Sequence, residues 1–276
     1  MNFVDARQKF CQLIQQPEEQ IDLAETALAI AQEEYPRLDV TTYLAKLDRI
    51  ATTVQGRLPT ERYPLRVIKA INYHLYEELG FKGNQANYYD PRNSFLNEVL
   101  DRRMGIPITL SLVYLEVAKR INFPMVGVDM PAHFLIRPDL SDVEFLVDPF
   151  HEGEVMFVED CQKRLEEIYE HPIDFDPGFL ERSTPRRFLT RLLSNLKMIY
   201  LREGEFHKSL AAIERILLLF PNAPMQVRDR GILYYHLGNW IDARQDLQTY
   251  IQEIPNAQDV PIIKQILKRM AGNSGE

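Results

Sequence analysis

Between residues 204 and 256 the chain repeats itself. Gly204 and Gly238 stand 34 residues apart, as do Phe206 and Trp240, Pro221 and Pro255, and Asn222 and Asn256. Between those marks Ile213 matches Leu247 and Leu217 matches Ile251. A glycine at one break and a proline at the other predict two helices per unit, a turn at each glycine and a stop before each proline. No other feature constrains the fold as much. A helical hairpin of this length cannot bury both of its faces alone, so two of them need neighbours. Val260, Ile263, Ile266, Leu267 and Met270 fall at helical spacing and supply a closing helix on one side. The part of the chain before residue 181 is expected to supply the other side. Asn273, Ser274, Gly275 and Glu276 are expected to fray.

The 34-residue unit resembles the tetratricopeptide repeat. That resemblance implies a concave surface that takes a protein or peptide partner. Around Asn195, Tyr200, Tyr234 and Tyr235 the inner faces read as polar and aromatic, which suits peptide capture. Arg186, Arg187 and Arg191, on the helix leading into the repeats, read as a solvated or salt-bridged face rather than a carboxylate site.

The first eighty residues read as helices. Leu23, Ala24, Ala27, Leu28 and Ala31 form one apolar stripe that ends at Tyr35-Pro36. Asp39 stands where an N-cap would be, before Tyr43, Leu44, Leu47, Ile50, Ala51 and Val54. Gly56 and Pro59 break that helix. Leu65, Ile68, Ile71, Leu75 and Leu79 form a third stripe, stopped by Gly80, with His74 beside it as a packing histidine. Gly83 to Asn93 is a polar loop with two tyrosines and three asparagines, read either as a closed, hydrogen-bonded surface loop or as the lining of a cleft. A helix over Ser94–Arg103 is expected to follow.

The centre of the chain carries the candidate chemistry. Arg102-Arg103-Met104-Gly105-Ile106-Pro107 leads into a helical run that ends at Ile121, with Pro107 suited to the first helical position. Two strands follow, one expected to carry His133 and the other Asp148. Phe134 and Ile136 alternate with His133, Leu135 and Arg137 across the first strand. Pro138-Asp139-Leu140-Ser141-Asp142 has turn chemistry. A hairpin symmetric about Leu140 and Ser141 sets Arg137 opposite Glu144, Leu135 opposite Leu146, and His133 opposite Asp148. Opposite charges at the turn end favour that register, and Asp148 would then fix the imidazole tautomer of His133. Helix, histidine strand, aspartate strand is the chain order of a Cys-His-Asp site. The nucleophile belongs at the first turn of the helix, where the dipole favours a thiolate, and no cysteine is there.

The residues Asn93-Ser94-Phe95-Leu96, Val99-Leu100, Arg102 through Tyr114, Pro131-Ala132-His133-Phe134-Leu135 and Val147-Asp148-Pro149-Phe150 together resemble the transglutaminase-like superfamily, which shares a papain-like core. The nearer likeness is to its bacterial invasion-regulator (Sir-B type) branch, over about residues 20–255. The resemblance implies that His133 and Asp148 occupy the catalytic histidine and aspartate positions. It also implies that Asn93, Pro107 and Ile108 line the cleft. Counting back about four turns from Asn122-Phe123-Pro124 puts the nucleophile position near Pro107 or Ile108; neither can attack a carbonyl.

Other donors stand nearby. Cys11, in the first helix, and Cys161, beyond the hairpin, read as apolar packing residues. Thr109 and Ser111 lie one-half to one turn into the central helix; a hydroxyl there can attack if a histidine base touches it, although hydroxyls near helix starts are mostly backbone partners. A metal site of His133, Asp148 and His151 requires the chain to fold back after Pro149, and the reading adopts no metal and no cofactor.

A net charge of −8 argues against a nucleic-acid or anionic-membrane surface. Two cysteines without paired spacing argue against a disulfide framework or structural zinc. The first residues meet charge at once and no stretch reaches the length of a membrane span, so a cytoplasmic setting is expected. The sequence therefore predicts an α+β, predominantly helical protein. A helical and transglutaminase-like domain with short antiparallel strands occupies 1–180, and helical repeats with a closing helix occupy 181–276. The function expected is a non-catalytic interaction or regulatory protein. The alternative is a hydrolase or acyltransferase on amide or ester bonds, with Ser111 or Thr109 attacking and His133 and Asp148 assisting. The sequence does not fix the partner, the substrate or the oligomeric state.

Overall fold

A computed structural model describes residues 3–141 and 143–272. Asp142 of the expected turn and the expected frayed end Asn273–Glu276 lie outside these. The described residues form an α+β fold dominated by twelve α-helices. The chain divides into two compact units, Met1–Leu192 and Leu193–Glu276.

In the first unit, helices α1 (Phe3–Ile14), α2 (Leu23–Glu34), α3 (Val40–Gln55) and α4 (Pro64–Asn72) come first. Asp22 and Asp39 cap α2 and α3, their carboxylates accepting from Glu25 N and Thr41 N, which satisfies N–H groups that a helix start leaves open. The third stripe departs from simple helical periodicity. Ile68, Ile71 and Leu75 are buried, but Leu65 is 55% exposed, because it sits in the first turn of α4 and Val67 turns inward instead. From Tyr73 to Glu78 the helix widens into a π turn, a feature that periodicity cannot announce. Gly80, at φ +72°, ends the segment.

Pro91–Ser94 forms a 3-10 turn, so helix α5 starts only at Leu96 and runs to Arg102. The expected helix from Ser94 is thus shortened: Phe95 takes an extended backbone as N-cap. Two short strands, β1 (Lys82–Gly83) and β2 (Met104–Gly105), pair in parallel. Helix α6 (Pro107–Arg120) is buried along nearly its whole length, with Pro107 in its first turn. A helix apolar all round belongs in the core, and α6 packs against β3 (Met125–Val128) and β4 (Leu135–Pro138).

The main sheet adds β5 (Leu146–Asp148), β6 (Glu154–Met156) and β7 (Arg182–Ser183), in the order β6-β5-β4-β3-β7 with antiparallel neighbours. One face carries Val128, Leu135, Leu146 and Met156 against Cys161 and Leu165 of α7 (Val158–Tyr169). On the other, Phe134 meets Phe188 edge to face.

The β4–β5 register differs from the symmetric hairpin. Ile136 stands opposite Val147, two residues from the expected pairing, so Arg137 does not face Glu144 and Leu135 does not face Leu146. A slip of two keeps every side chain on its face. The apolar alternation therefore cannot distinguish the registers, and the charge pair at the turn was too weak a guide. His133 is not in a strand either: it precedes β4, just after Ala132 at φ +57°.

The second unit contains the end of α8 (Pro185–Glu203), then α9 (Phe206–Leu219), α10 (Pro224–His236), α11 (Trp240–Glu253) and α12 (Val260–Gly272). Gly204 and Gly238 make the α8–α9 and α10–α11 turns at φ +76° and +77°, a conformation that glycine adopts without a Cβ penalty. A Cβ on Gly231 would lie 2.9 Å from Leu247, so this glycine lets α10 and α11 approach closely. Ala243, Leu247, Tyr250, Val260, Ile263 and Met270 form the core of the closing helix and its neighbour.

Candidate functional site

Asp148 ends β5 and at once caps the 3-10 turn Pro149–His151. Its Oδ1 accepts from the backbone N–H of Phe150 at 3.0 Å and of His151 at 3.4 Å. The same turn folds His151 back over the carboxylate. Oδ2 is approached by His133 Nε2 at 2.8 Å, by His151 Nδ1 at 2.7 Å and by Arg164 Nη1, from α7, at 3.2 Å. His133 and Asp148 therefore meet, but from the segment before β4 and the end of β5 rather than as opposed strand residues. The carboxylate is fully buried and the His133 side chain 6% exposed. Burial alone would raise the Asp148 carboxyl. The hydrogen bonds from His133 and His151, with their charge, outweigh it and hold the group well below the usual carboxylate range.

A carboxylate only accepts, so a hydrogen bond in this pair runs from His133 Nε2–H to Asp148, and a neutral ring then holds its lone pair on Nδ1. Phe150 lies edge-on to both His133 and His151, with centroids 6.2 and 5.2 Å away, and Tyr88 packs edge-on to Phe150 at 6.1 Å. The loop before α5 therefore reaches the aromatic wall of this site. It is also held closed by asparagines: Asn93, fully buried, accepts from Asn84 Nδ2 and donates to the carbonyls of Asn87 and Tyr88.

Three residues behind the site hold the aspartate loop at both ends. Tyr76, on the π turn, donates to Pro149 O at 3.2 Å, and Asn72 Nδ2 donates to Gly153 O at 2.8 Å. Tyr114 of α6 donates to Asn72 Oδ1 at 2.9 Å. Burial keeps both tyrosines protonated far above their ordinary range. Neither this clamp nor Arg164 is visible in sequence. Arg164 is 16 residues from Asp148 on another element, and only the π turn directs Tyr76 toward the loop.

At the start of α6, Pro107 and Ile108 are buried. Thr109 Oγ1 donates to Asn93 O at 2.7 Å and accepts from Ile106 N at 3.1 Å, so its hydroxyl is committed to the backbone. Ser111 Oγ is buried with no hydrogen-bond partner among the described residues, and so makes no hydrogen bond to His133. Cys161 is buried, and desolvation together with nearby Asp160 and Asp148 pushes its thiol up to about 11. Cys11 is half-buried. Of the arginines before the repeats, Arg186 pairs with Glu18 at 3.0 Å and Arg191 with Asp129 at 3.3 Å. In the second unit Tyr200 is buried, while Asn195, Tyr234 and Tyr235 are half-buried.

A buried helix start, a histidine and an aspartate on adjoining strand ends, and helical hairpins after them define a transglutaminase-like core joined to tetratricopeptide repeats. Comparison with known families agrees: residues 41–194 match the transglutaminase-like superfamily, and residues 196–268 match the tetratricopeptide repeat. The chain belongs to the transglutaminase-like superfamily. Among curated proteins, a UPF0162 protein of Xylella fastidiosa (strain 9a5c) is 35% identical over 251 residues, covering 90% of this chain and 89% of its own. A UPF0162 protein of Vibrio cholerae is 28% identical over 255 residues, covering 92% and 94%. F-box only protein 21 of Homo sapiens is 32% identical over 187 residues, covering 63% of this chain and 29% of that protein. No solved structure matches. No helix among the described residues is long and apolar enough to cross a membrane.

Proposed function

We propose that this protein is a non-catalytic interaction or regulatory protein of the cytoplasm, in which a transglutaminase-like core without its nucleophile is joined to repeats that hold a protein or peptide partner. One observation carries the reading: buried Pro107 and Ile108 occupy the helix start where a thiol would stand, and the nearest hydroxyl, Thr109, is committed to Asn93 O. Nucleophilic catalysis needs the attacking atom within reach of its base, and neither Thr109 nor Ser111 hydrogen-bonds His133. The matched part of F-box only protein 21 is under a third of that protein, which fits a core used as a module within larger chains. Asn195, Tyr234 and Tyr235 are the residues proposed to meet the partner. Tyr200, being buried, is proposed to shape the surface from beneath.

The test has two arms. The parent should turn over no member of a panel of activated esters and glutamine amides. The Asn195→Ala/Tyr234→Ala variant should fold as the parent does and lose the proteins that the parent retains from a lysate. Turnover by the parent that disappears in His133→Ala, or full retention of partners by the double variant, overturns the reading.

A further inference from the structure

The hydrogen bonding around Asp148 does not close. Arg164 Nη1 lies 2.7 Å from His151 Nδ1, and that same Nδ1 lies 2.7 Å from Asp148 Oδ2. A guanidinium nitrogen only donates and a carboxylate only accepts. To accept from Arg164, Nδ1 must offer a lone pair; to donate to Asp148, it must carry a hydrogen. One ring nitrogen cannot do both, so one of the two short contacts sets donor against donor or lone pair against lone pair. The conflict sits beside a fully buried carboxylate, where an unmet polar contact is costly.

We propose that a divalent transition-metal ion completes this site, bound by His133, Asp148 and His151. One ligand atom from each of the three residues lies within 4.8 Å of the others. Metal–nitrogen and metal–oxygen bonds of about 2.0–2.2 Å are reached when the short nitrogen–oxygen contacts open slightly and the two imidazoles close on each other. The ion accepts lone pairs from all three, the His133 ring proton passing from Nε2 to Nδ1 and any proton on His151 Nδ1 passing to its Nε2 or to solvent, which removes the conflict that a hydrogen cannot. Asp148 Oδ1 stays on the backbone N–H groups of Phe150 and His151, so Oδ2 is aimed by an outer shell before any ion arrives. The His151 side chain is 34% exposed and opens a path from solvent. Arg164 has somewhere else to go: its Nη2 already reaches Glu154 Oε2 at 3.0 Å, and its Nε faces Glu167 at 3.8 Å. In this scheme the guanidinium holds the place of the cation and withdraws as the ion enters. Two imidazoles and one carboxylate suit zinc, cobalt, nickel or copper and disfavour magnesium and calcium.

The inference is independent of the repeats and of whether the core performs any reaction. It is tested on the untagged full chain, stripped with chelator, titrated calorimetrically with zinc chloride and, for the coordination spectrum, with cobalt chloride. One ion per chain is expected at micromolar or tighter affinity, with visible cobalt bands of low coordination number and no comparable binding of magnesium. His151→Ala, a change at a half-exposed side chain, should keep the parent's circular dichroism and weaken binding at least a hundredfold. Arg164→Ala should bind as tightly as the parent or tighter. Absence of a stoichiometric site in the parent, or a site that survives intact in His151→Ala, overturns the proposal. A loss of binding in Arg164→Ala with the fold retained also overturns it, because the arginine would then be a partner of the ion and not its rival.

Discussion

Replacing Asp148 by Asn should damage the protein at least as much as deleting the imidazole of His133, although the amide is nearly isosteric with the carboxylate. If His133 were the only partner, an amide oxygen could take its hydrogen bond and little would be lost. Both oxygens are in use, however. Oδ1 accepts from two backbone N–H groups, and Oδ2 faces His133, His151 and Arg164. Whichever way the amide is turned, its NH2 meets donors. Breaking a charge-assisted hydrogen bond and leaving a buried donor unmet costs about 2–4 kcal/mol in such a site. His133→Ala instead leaves Asp148 with its other donors and costs about 1.5–3 kcal/mol for the lost bond to a charged acceptor. The single tryptophan, Trp240, lies in the second unit, so its fluorescence reports the wrong region. Hydrogen exchange in peptides from residues 96–169 reads the right one. Protection there should fall roughly thirtyfold to a thousandfold in Asp148→Asn. Parent-like protection in Asp148→Asn, beside a clear loss in His133→Ala, would show that His133 is the only partner that matters and refute the reasoning.

Three further outcomes are expected. Because the folded Asp148 carboxyl is held below its ordinary range, its contribution is present above the unfolded value of about 3.9 and is lost as pH falls through the folded one. Acid unfolding below about pH 4 should therefore become less steep in Asp148→Asn, and an unchanged acid limb would contradict this. Gly153→Ala should destabilise by more than about 1–2 kcal/mol, because φ is +74° there and the new Cβ would lie 2.2 Å from Asn72 Oδ1; a melting temperature equal to the parent's would remove the clamp from the argument. Cys11→Ser with Cys161→Ser should match the parent against every acyl substrate tried, since the buried Cys161 thiol is pushed up to about 11. Turnover by the parent alone would mean that a thiol does act.

The sequence by itself determined the helical repeats and the layout of the core. A 34-residue period, glycines at positive φ and capping aspartates are local signals, and each corresponds to an element that hydrogen bonding and apolar periodicity produce without long-range information. Pro107 in the first turn of the central helix was legible for the same reason, as was the absence of a thiol there. The tertiary structure alone decided the rest. The β4–β5 register slipped by two because a two-residue shift leaves every face unchanged. His151 was a candidate in sequence, but its return over Asp148 depends on the 3-10 turn, and Arg164 enters from a helix residue 16 positions away, a convergence that no spacing rule encodes. The π turn that aims Tyr76 at Pro149, and the exposure of Leu65 at the head of its stripe, depend on what each helix packs against. Periodicity records which residues share a face, while the partner of that face is fixed only when distant segments compete for the same buried space.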